Sequence, residues 1–141
     1  MITDRVGTMT FILLLSHYQV PETTSLVLWI MMDVTSHWAR TVSSLKVNTH
    51  HKQMKNRFGV LNFYYNVPYG MTPFCVGAEL YLICVYSRHF LQSELLGAPV
   101  YWLTFLLFWG KFIIHGFQFV DSCLVILEID AKKRNGEKTT N

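Results

Sequence analysis

Charge is scarce in this sequence. Of its 141 residues, 15% are Asp, Glu, Lys or Arg, whereas soluble domains carry about 25%. Hydrophobic residues make up 51% of the chain. A surface with so few charges is poorly suited to water, so the composition predicts a chain whose solvent is largely lipid. The alternative is a soluble helical domain with a large core, which is disfavoured because the apolar segments are apolar nearly all round.

Several motifs of soluble and secreted proteins are also missing. The three cysteines, Cys75, Cys84 and Cys123, form no Cys-x-x-Cys pair, and an odd number does not favour a disulfide framework. There is no Asn-x-Ser/Thr acceptor, no glycine-rich phosphate loop, no His-Glu-x-x-His and no Gly-x-Ser-x-Gly. Asp4 stands where a signal peptide would be basic, and no small-residue cleavage site follows the first apolar run.

Four apolar segments are candidates for membrane helices, which need about 20 mostly apolar residues. They lie at residues 6–20, 25–45, 70–90 and 99–129, and the first is short. Prolines at positions 21, 68, 73 and 99 stand near predicted helix starts, where a missing N–H costs least. The sequence thus predicts an all-α polytopic membrane bundle of about four transmembrane helices. Gly110 and Gly116 are the places where the last helix could bend.

Basic residues are concentrated in the central loop and the C-terminal segment. Between residues 34 and 78 the chain has no Asp or Glu, and the tail at 132–141 carries four Lys or Arg. The connections at 21–24 and 92–98 carry none. By the positive-inside rule the central loop and both termini are cytosolic. We therefore expect a transmembrane domain at 1–131 and a polar, disordered cytosolic tail at 132–141.

Six ionisable residues lie in or near the apolar segments, where each costs roughly 3 kcal/mol to insert. They are Asp33, His37, Glu79, Lys111, His115 and Asp121. Asp33, His37 and Arg40 share one helix face, and Lys111, His115 and Ser122 share another. Polar faces on several helices predict a common hydrophilic cavity. The alternative is that these residues pair across the bundle and only hold the helices together.

The basic loop and the polar faces allow other interpretations. His50-His51 is a tandem pair without the spacing of a metal site, so solvation is the simpler interpretation. Lys52, Lys55 and Arg57 are expected to face anionic lipid headgroups rather than nucleic acid. A small transporter is a further hypothesis, which the absence of an inverted repeat disfavours.

A series of short motifs, in order along residues 1–131, resembles a known family. The motifs are Thr3-Asp4-Arg5 before an apolar helix, Asp33-Val34-Thr35-Ser36-His37-Trp38, His51-Lys52, Leu61 with Tyr64-Tyr65, Cys75-x-Gly77-x-Glu79-Leu80, and Lys111 with Asp130-Ala131. This ordered set resembles the eukaryotic phosphatidylinositol synthases, which are CDP-alcohol phosphatidyltransferases. Asp4 corresponds to the last aspartate of the family signature D-x2-D-G-x2-A-R-x8-G-x3-D-x3-D.

The resemblance implies a reaction and a set of ligands. The family transfers a phosphatidyl group from CDP-diacylglycerol to myo-inositol and releases CMP, in a fold of about six membrane helices that tends to form homodimers. Its signature aspartates hold two divalent metals, Mg²⁺ or Mn²⁺. Asp4 is implied to be a metal ligand and the base that takes the inositol proton. Asp33 and His37 are expected to bind substrate near inositol, and the endoplasmic reticulum is the expected membrane.

One departure from the family bears on activity. The earlier aspartates of the signature do not occur here, and Asp4 is the only residue of the metal-binding set. A single carboxylate does not assemble a two-metal site, so we expect the chain by itself to be inactive. The chain is interpreted as a fragment, an isoform or an incomplete gene model of such an enzyme. The alternative is a non-catalytic membrane isoform that associates with the full-length enzyme and modulates it, in which case Asp4 is a helix N-cap.

Overall fold

The computed structural model describes residues 2–18, 20–47, 57–91 and 97–138, with side chains for 5–18, 20–47, 57–91 and 97–135. Within these ranges it contains five α-helices and no strand. They are α1 Ile2–His17, α2 Thr23–Val47, α3 Gly59–Asn66, α4 Thr72–Phe90 and α5 Gly97–Lys138. The all-α class predicted from the sequence is confirmed.

The four long helices fall on the four predicted apolar segments, and local sequence explains where they start. α4 begins with Pro73 in its first turn, where the missing N–H costs no hydrogen bond. α5 begins at Gly97, whose φ of 73° suits a residue without a Cβ. α5 then continues as one helix through Gly110 and Gly116, the two glycines at which the sequence allows a bend.

Two features differ from what the sequence predicts. The central loop contains the short helix α3, because Leu61 and Tyr64 bury their side chains together with Ile114 of α5. The tail was expected to be disordered, but α5 continues to Lys138, so that expectation is wrong for residues 132–138. Ala, Lys and Arg at positions 131–134 are good helix formers, and they extend a helix that is already nucleated upstream.

α5 is the helix on which the others assemble. It packs against α2, α4 and α3, while α1 packs against α2 and α4. The main core lies around Trp29 and Phe108, whose stacked rings have centroids 4.8 Å apart. The Trp29 indole Nε1 donates a hydrogen bond to the Phe108 carbonyl at 3.2 Å, which satisfies the polar atom of this buried ring. This contact fixes the register between α2 and α5.

One helix of the described part of the chain is long and apolar enough to cross a membrane, judged by length and composition. This is α5, over Gly97–Asn135. α1 has 16 residues, fewer than the about 20 that a span requires. α2 is long enough, but it carries Asp33, Arg40 and Lys46. The number of spans, predicted as four, stays a prediction.

Candidate functional site

Buried polar side chains concentrate where α2 faces α5. On α2 they are Asp33, Ser36, Arg40, Ser43 and Ser44, and on α5 they are His115, Gln118, Asp121 and Ser122. Both sets repeat every three or four residues, so each helix has one polar face. These two faces form a polar seam between the two longest helices of an otherwise apolar chain.

Arg5, near the start of α1, binds Asp33 and His37 of this seam. Its Nη1 lies 2.7 Å from both carboxylate oxygens of Asp33, and its Nη2 lies 2.7 Å from His37 Nε2. A guanidinium only donates hydrogen bonds, so His37 Nε2 must carry the lone pair. The Asp33 side chain is 6% exposed and that of Arg5 is 23% exposed. Arg5 therefore reaches into the seam from a position that is partly open.

His115 joins the same cluster from α5. It is 1% exposed, and its Nδ1 lies 3.3 Å from Asp33 Oδ1. Its ring meets that of His37 edge-on, with centroids 5.2 Å apart. Neither nitrogen of His115 has a hydrogen-bond partner among the described residues. A buried polar group without a hydrogen-bond partner costs about 1–3 kcal/mol, so the burial of His115 requires an explanation.

Gln118 connects the cluster to α3. Its Oε1 accepts a hydrogen bond from the Tyr65 hydroxyl at 2.8 Å, and its Nε2 donates to the Ser36 carbonyl at 3.4 Å, beside the His37 ring. Burial raises the pKa of the Tyr65 phenol, which keeps the hydroxyl neutral and able to donate. Through Tyr65, the short helix that the sequence did not predict thus holds Gln118 next to His37.

A second ion pair lies farther along the seam. Arg40 Nη1 donates to Asp121 Oδ2 at 2.9 Å, and both side chains are almost fully buried. The backbone N–H of Arg57 donates to Asp121 Oδ1 at 3.3 Å. This pair joins α2, α5 and Arg57, which lies two residues before α3, and it fits the interpretation of polar residues that hold helices together.

Asp33, His37 and His115 form a group that could hold a metal ion. One ligand atom from each residue lies within 4.8 Å of the other two. Two imidazole nitrogens and a carboxylate suit Zn²⁺ and related transition metals, whereas Mg²⁺ prefers oxygen ligands in an octahedron. This donor set therefore does not match the Mg²⁺ or Mn²⁺ site that the family resemblance assigns to aspartates.

An apolar groove of about 480 Å³ lies beside the cluster. It is lined by Met32, Phe58, Ile113, Gly116, Phe117, Phe119 and Val120. Met32 directly precedes Asp33, and Gly116 directly follows His115. The groove and the cluster therefore use the same two stretches of α2 and α5.

Curated proteins similar to this chain share one name. Over 145 aligned positions the chain is 28% identical to the CDP-diacylglycerol–inositol 3-phosphatidyltransferase of Rattus norvegicus, a match that covers 98% of this chain and 68% of the relative. Over 100 residues it is 30% identical to the protein of the same name from Homo sapiens, which covers 70% of this chain. The chain is thus similar to curated phosphatidylinositol synthases.

The extent of this relationship differs between relatives. The chain spans about half, 47%, of the length of the human and Mus musculus phosphatidylinositol synthases that it matches. No family model matches the chain, and no solved structure is significantly similar to it. The resemblance stated from the ordered motifs is thus supported by three curated relatives, one of which aligns with nearly the whole chain.

The structure brings together two of the residues singled out by the resemblance to phosphatidylinositol synthases. Asp33 and His37 lie in one cluster, so the predicted polar face of α2 is confirmed. Asp4 belongs to α1, but its side chain lies outside the described residues, and its role as base and metal ligand stays a prediction. His50-His51, Lys52 and Lys55 also lie outside the described residues.

The residues predicted to line a common hydrophilic cavity are only partly brought together, and those that are form a buried cluster of ion pairs. Glu79 is exposed, because the buried face of α4 is formed by Gly77, Ala78, Tyr81 and Leu82 instead. Lys111 is half-buried, with its ammonium 5.4 Å from the centroid of the Trp29 ring. Arg57, which was expected to face headgroups, forms an ion pair with Glu128.

Arg5 and Gln118 are members of the cluster that sequence reasoning missed. Gln118 lies three residues after His115 and four before Ser122, so the helical period of the predicted polar face could have identified it. Arg5 gives no such signal, because Asp33 lies 28 positions away on another helix.

Proposed function

We propose that this chain is a membrane-embedded phosphatidyltransferase of the phosphatidylinositol synthase type. The reaction moves a phosphatidyl group from CDP-diacylglycerol to myo-inositol and releases CMP. The observation that carries the proposal is the match to the rat enzyme along 98% of the chain. The two substrates come from the shared name of the relatives, and the site geometry is consistent with them.

A lipid medium is supported by the distribution of polarity over the described residues. Charged and polar side chains are buried between α2 and α5, while large apolar side chains face outward. Leu45, Trp38 and Leu106 are exposed by 73%, 69% and 66%. An outer surface with many exposed large apolar side chains is disfavoured in water and favoured in lipid. We place the central loop and both termini on the cytosolic side, with the endoplasmic reticulum as the proposed membrane.

The polar cluster supplies groups that suit a polyol. Asp33 can accept hydrogen bonds from hydroxyls, and Arg5 can donate to their oxygens. In the proposed reaction an inositol hydroxyl attacks the phosphorus that joins diacylglycerol to CMP, and the bond to CMP breaks as the new O–P bond forms. Asp4 is the proposed base for the hydroxyl proton, near the start of the helix that carries Arg5. Asp33 and His37 are proposed to orient the alcohol.

The apolar groove supports a lipid-linked donor. Met32 and Gly116 line the groove and adjoin Asp33 and His115 in the chain. An acyl chain in the groove would therefore bring its polar end toward the cluster. A water-soluble donor would not require such a surface next to the polar residues.

The test is transfer of radiolabelled myo-inositol into lipid by the purified protein in bilayers that contain CDP-diacylglycerol, with Mg²⁺ or Mn²⁺ supplied. From the chain by itself we expect saturable inositol binding that serine and glycerol 3-phosphate do not compete for, and little or no labelled lipid, because one carboxylate does not assemble a two-metal site. Absence of both labelled lipid and saturable inositol binding would refute the proposal. Co-purification with a full-length relative would then indicate the non-catalytic, modulating role.

Two matched carboxylate variants test the site within this proposal. Asp33→Asn is expected to lower inositol incorporation or binding roughly tenfold or more, since a charged hydrogen bond contributes about 1.5–3 kcal/mol. Asp130→Asn is the control, because Asp130 is 48% exposed and pairs with Lys46 outside the cluster. Equal effects of the two variants would remove Asp33 from the substrate site.

A further inference from the structure

We propose that Asp33, His37 and His115 form a binding site for one divalent transition metal ion of the Zn²⁺ type, and that the Arg5 guanidinium occupies the site in its place when the ion is absent. Neither the proposed transferase reaction nor the names of the relatives assign such a site. The inference starts from His115, whose two ring nitrogens are buried and have no hydrogen-bond partner among the described residues.

The three donors are close to the spacing of a zinc site. Asp33 Oδ1 lies 3.3 Å from His115 Nδ1 and 3.6 Å from His37 Nε2. Ligand atoms that lie about 2.0 Å from a tetrahedral ion are about 3.3 Å apart. The widest separation in the group is within 4.8 Å, so the third pair of donors must approach by at most about 1.5 Å to reach that spacing. Three protein ligands leave one position open for water.

The protonation of His37 also fits a metal ligand. Because Arg5 Nη2 donates to His37 Nε2, that nitrogen already directs its lone pair into the cluster. A metal needs the same lone pair, and it places its positive charge where the guanidinium now stands. The ion and Arg5 are therefore alternative cations for one pair of acceptors.

Arg5 is the group that can leave the site. Its side chain is 23% exposed, whereas Asp33 and His115 are 6% and 1% exposed. If the Arg5–Asp33 pair were only a link between helices, both His115 nitrogens would stay buried without a hydrogen bond to any described residue. An ion that replaces Arg5 satisfies one His115 nitrogen and keeps Asp33 neutralised, so that nitrogen is no longer buried without a partner.

Other charges around the site do not take the place of the ligands. The Lys111 ammonium lies over the Trp29 ring, 5.4 Å from its centroid. Asp121 is engaged by Arg40 at 2.9 Å. The ion would use the same atoms of Asp33 and His37 that the proposed function assigns to the alcohol, so the two occupants exclude each other.

The experiment is a Co²⁺ titration of the purified, chelator-treated protein in detergent, with no substrate present, followed by visible absorption and by metal analysis after Zn²⁺ replacement. We expect one ion per chain and absorption bands typical of nitrogen and oxygen ligands. His115→Ala is expected to weaken binding more than roughly 100-fold, beyond the loss that changes in the outer shell produce. His89→Ala changes an exposed histidine and is the matched control, with no expected effect.

Arg5→Gln tests the exchange itself. It removes the competing cation and is expected to tighten Co²⁺ binding roughly two- to fivefold, the range set by a partly exposed ion pair. If the wild type and His115→Ala bound Co²⁺ with equal affinity, the proposed metal site would be wrong. If Arg5→Gln bound Co²⁺ more weakly than the wild type, the proposed exchange between Arg5 and the ion would be wrong. His115→Asn, with helicity measured by circular dichroism, serves if the alanine variant does not fold. Because no substrate is present, failure here is separable from failure of the transferase proposal.

Discussion

At the scale of single residues, the ion pairs of this protein differ in how much water they contact. Arg40 and Asp121 are 2% and 0% exposed, whereas Lys46 and Asp130 are 37% and 48% exposed. The buried pair has been desolvated, so each charge depends on the other far more than in the exposed pair. Exposed pairs contribute about 0–1 kcal/mol, while loss of one partner from a buried pair costs about 3–5 kcal/mol.

We expect Asp121→Leu to lower the free energy of unfolding by about 3–5 kcal/mol, because it removes the carboxylate that neutralises the buried Arg40. The measurement is the unfolding midpoint in detergent. Asp130→Leu, which removes a carboxylate from the exposed pair, is expected to cost at most about 1 kcal/mol. The double variant Arg40→Met with Asp121→Leu should recover most of the loss. A double variant as unstable as Asp121→Leu would contradict this account.

Sequence reasoning at this scale finds residues that share a helix and misses those that meet across helices. Asp33 and His37 were predictable because four positions make one helical turn. Glu79 is also a carboxylate in an apolar segment, but the small residues Gly77 and Ala78 define the buried face of α4. The Glu79 side chain therefore lies on the exposed face. The contact of Arg5 with Asp33 depends on the angle between α1 and α2, which no local pattern contains.

At the scale of elements, the contact between α4 and α5 depends on a missing side chain. A Cβ added to Gly77 would lie 2.6 Å from the Leu107 Cβ and 2.5 Å from its Cδ1. The Leu107 Cδ1 could move by rotation, but its Cβ is fixed to the helix backbone. The two helices would have to separate to make room.

Gly77→Ala is therefore expected to destabilise the protein by about 1–3 kcal/mol, the usual cost of overpacking a core. Thermal unfolding in detergent followed by circular dichroism measures the change. Gly116→Ala is the matched control in α5, because a Cβ there meets nothing within 4 Å. It should be neutral or stabilising by up to about 1 kcal/mol, since alanine favours helix more than glycine does. Equal destabilisation by both substitutions would show that the α4–α5 contact is not the cause.

The elements themselves were largely predictable, with errors that have physical causes. Long apolar runs identified all four long helices, since the same residues that favour burial here also favour helix. α3 has eight residues in a basic loop, and it is stabilised by Leu61 and Tyr64 packing beside Ile114. A helix this short is marginal on its own, so local sequence could not indicate it.

At the scale of the whole molecule, contacts between helix ends define two ends of the bundle. At one end, Tyr18 after α1 contacts Phe90 of α4, with ring centroids 5.0 Å apart. At the other end, Lys46 of α2 binds Asp130 of α5 at 2.7 Å. The basic loop and tail follow the second end directly. The first end adjoins the connections without Lys or Arg, so the contacts are consistent with the proposed orientation.

This arrangement leads to a labelling prediction for the proposed membrane topology. The background protein has its native cysteines replaced by serine at Cys75, Cys84 and Cys123. In sealed microsomes an impermeant maleimide should label Lys46→Cys and Arg134→Cys from the cytosolic side. It should label Tyr18→Cys and Leu91→Cys only after the vesicles are opened, because those exposed positions lie at the opposite end.

The four positions separate the alternatives that the sequence left open. With four spans, two of the four positions lie on each side of the membrane. Lys46 and Arg134 share one side because two helices, α4 and α5, cross the bilayer between them. If α5 alone crossed the membrane, Leu91 and Arg134 would be on opposite sides, but Tyr18 and Lys46 would be labelled together. A soluble protein would show all four labelled at once and would leave the membrane in an alkaline carbonate wash. Comparison of Tyr18→Cys with Lys46→Cys therefore decides between one crossing and four, since labelling of the two positions from opposite sides requires α2 to cross the bilayer between them.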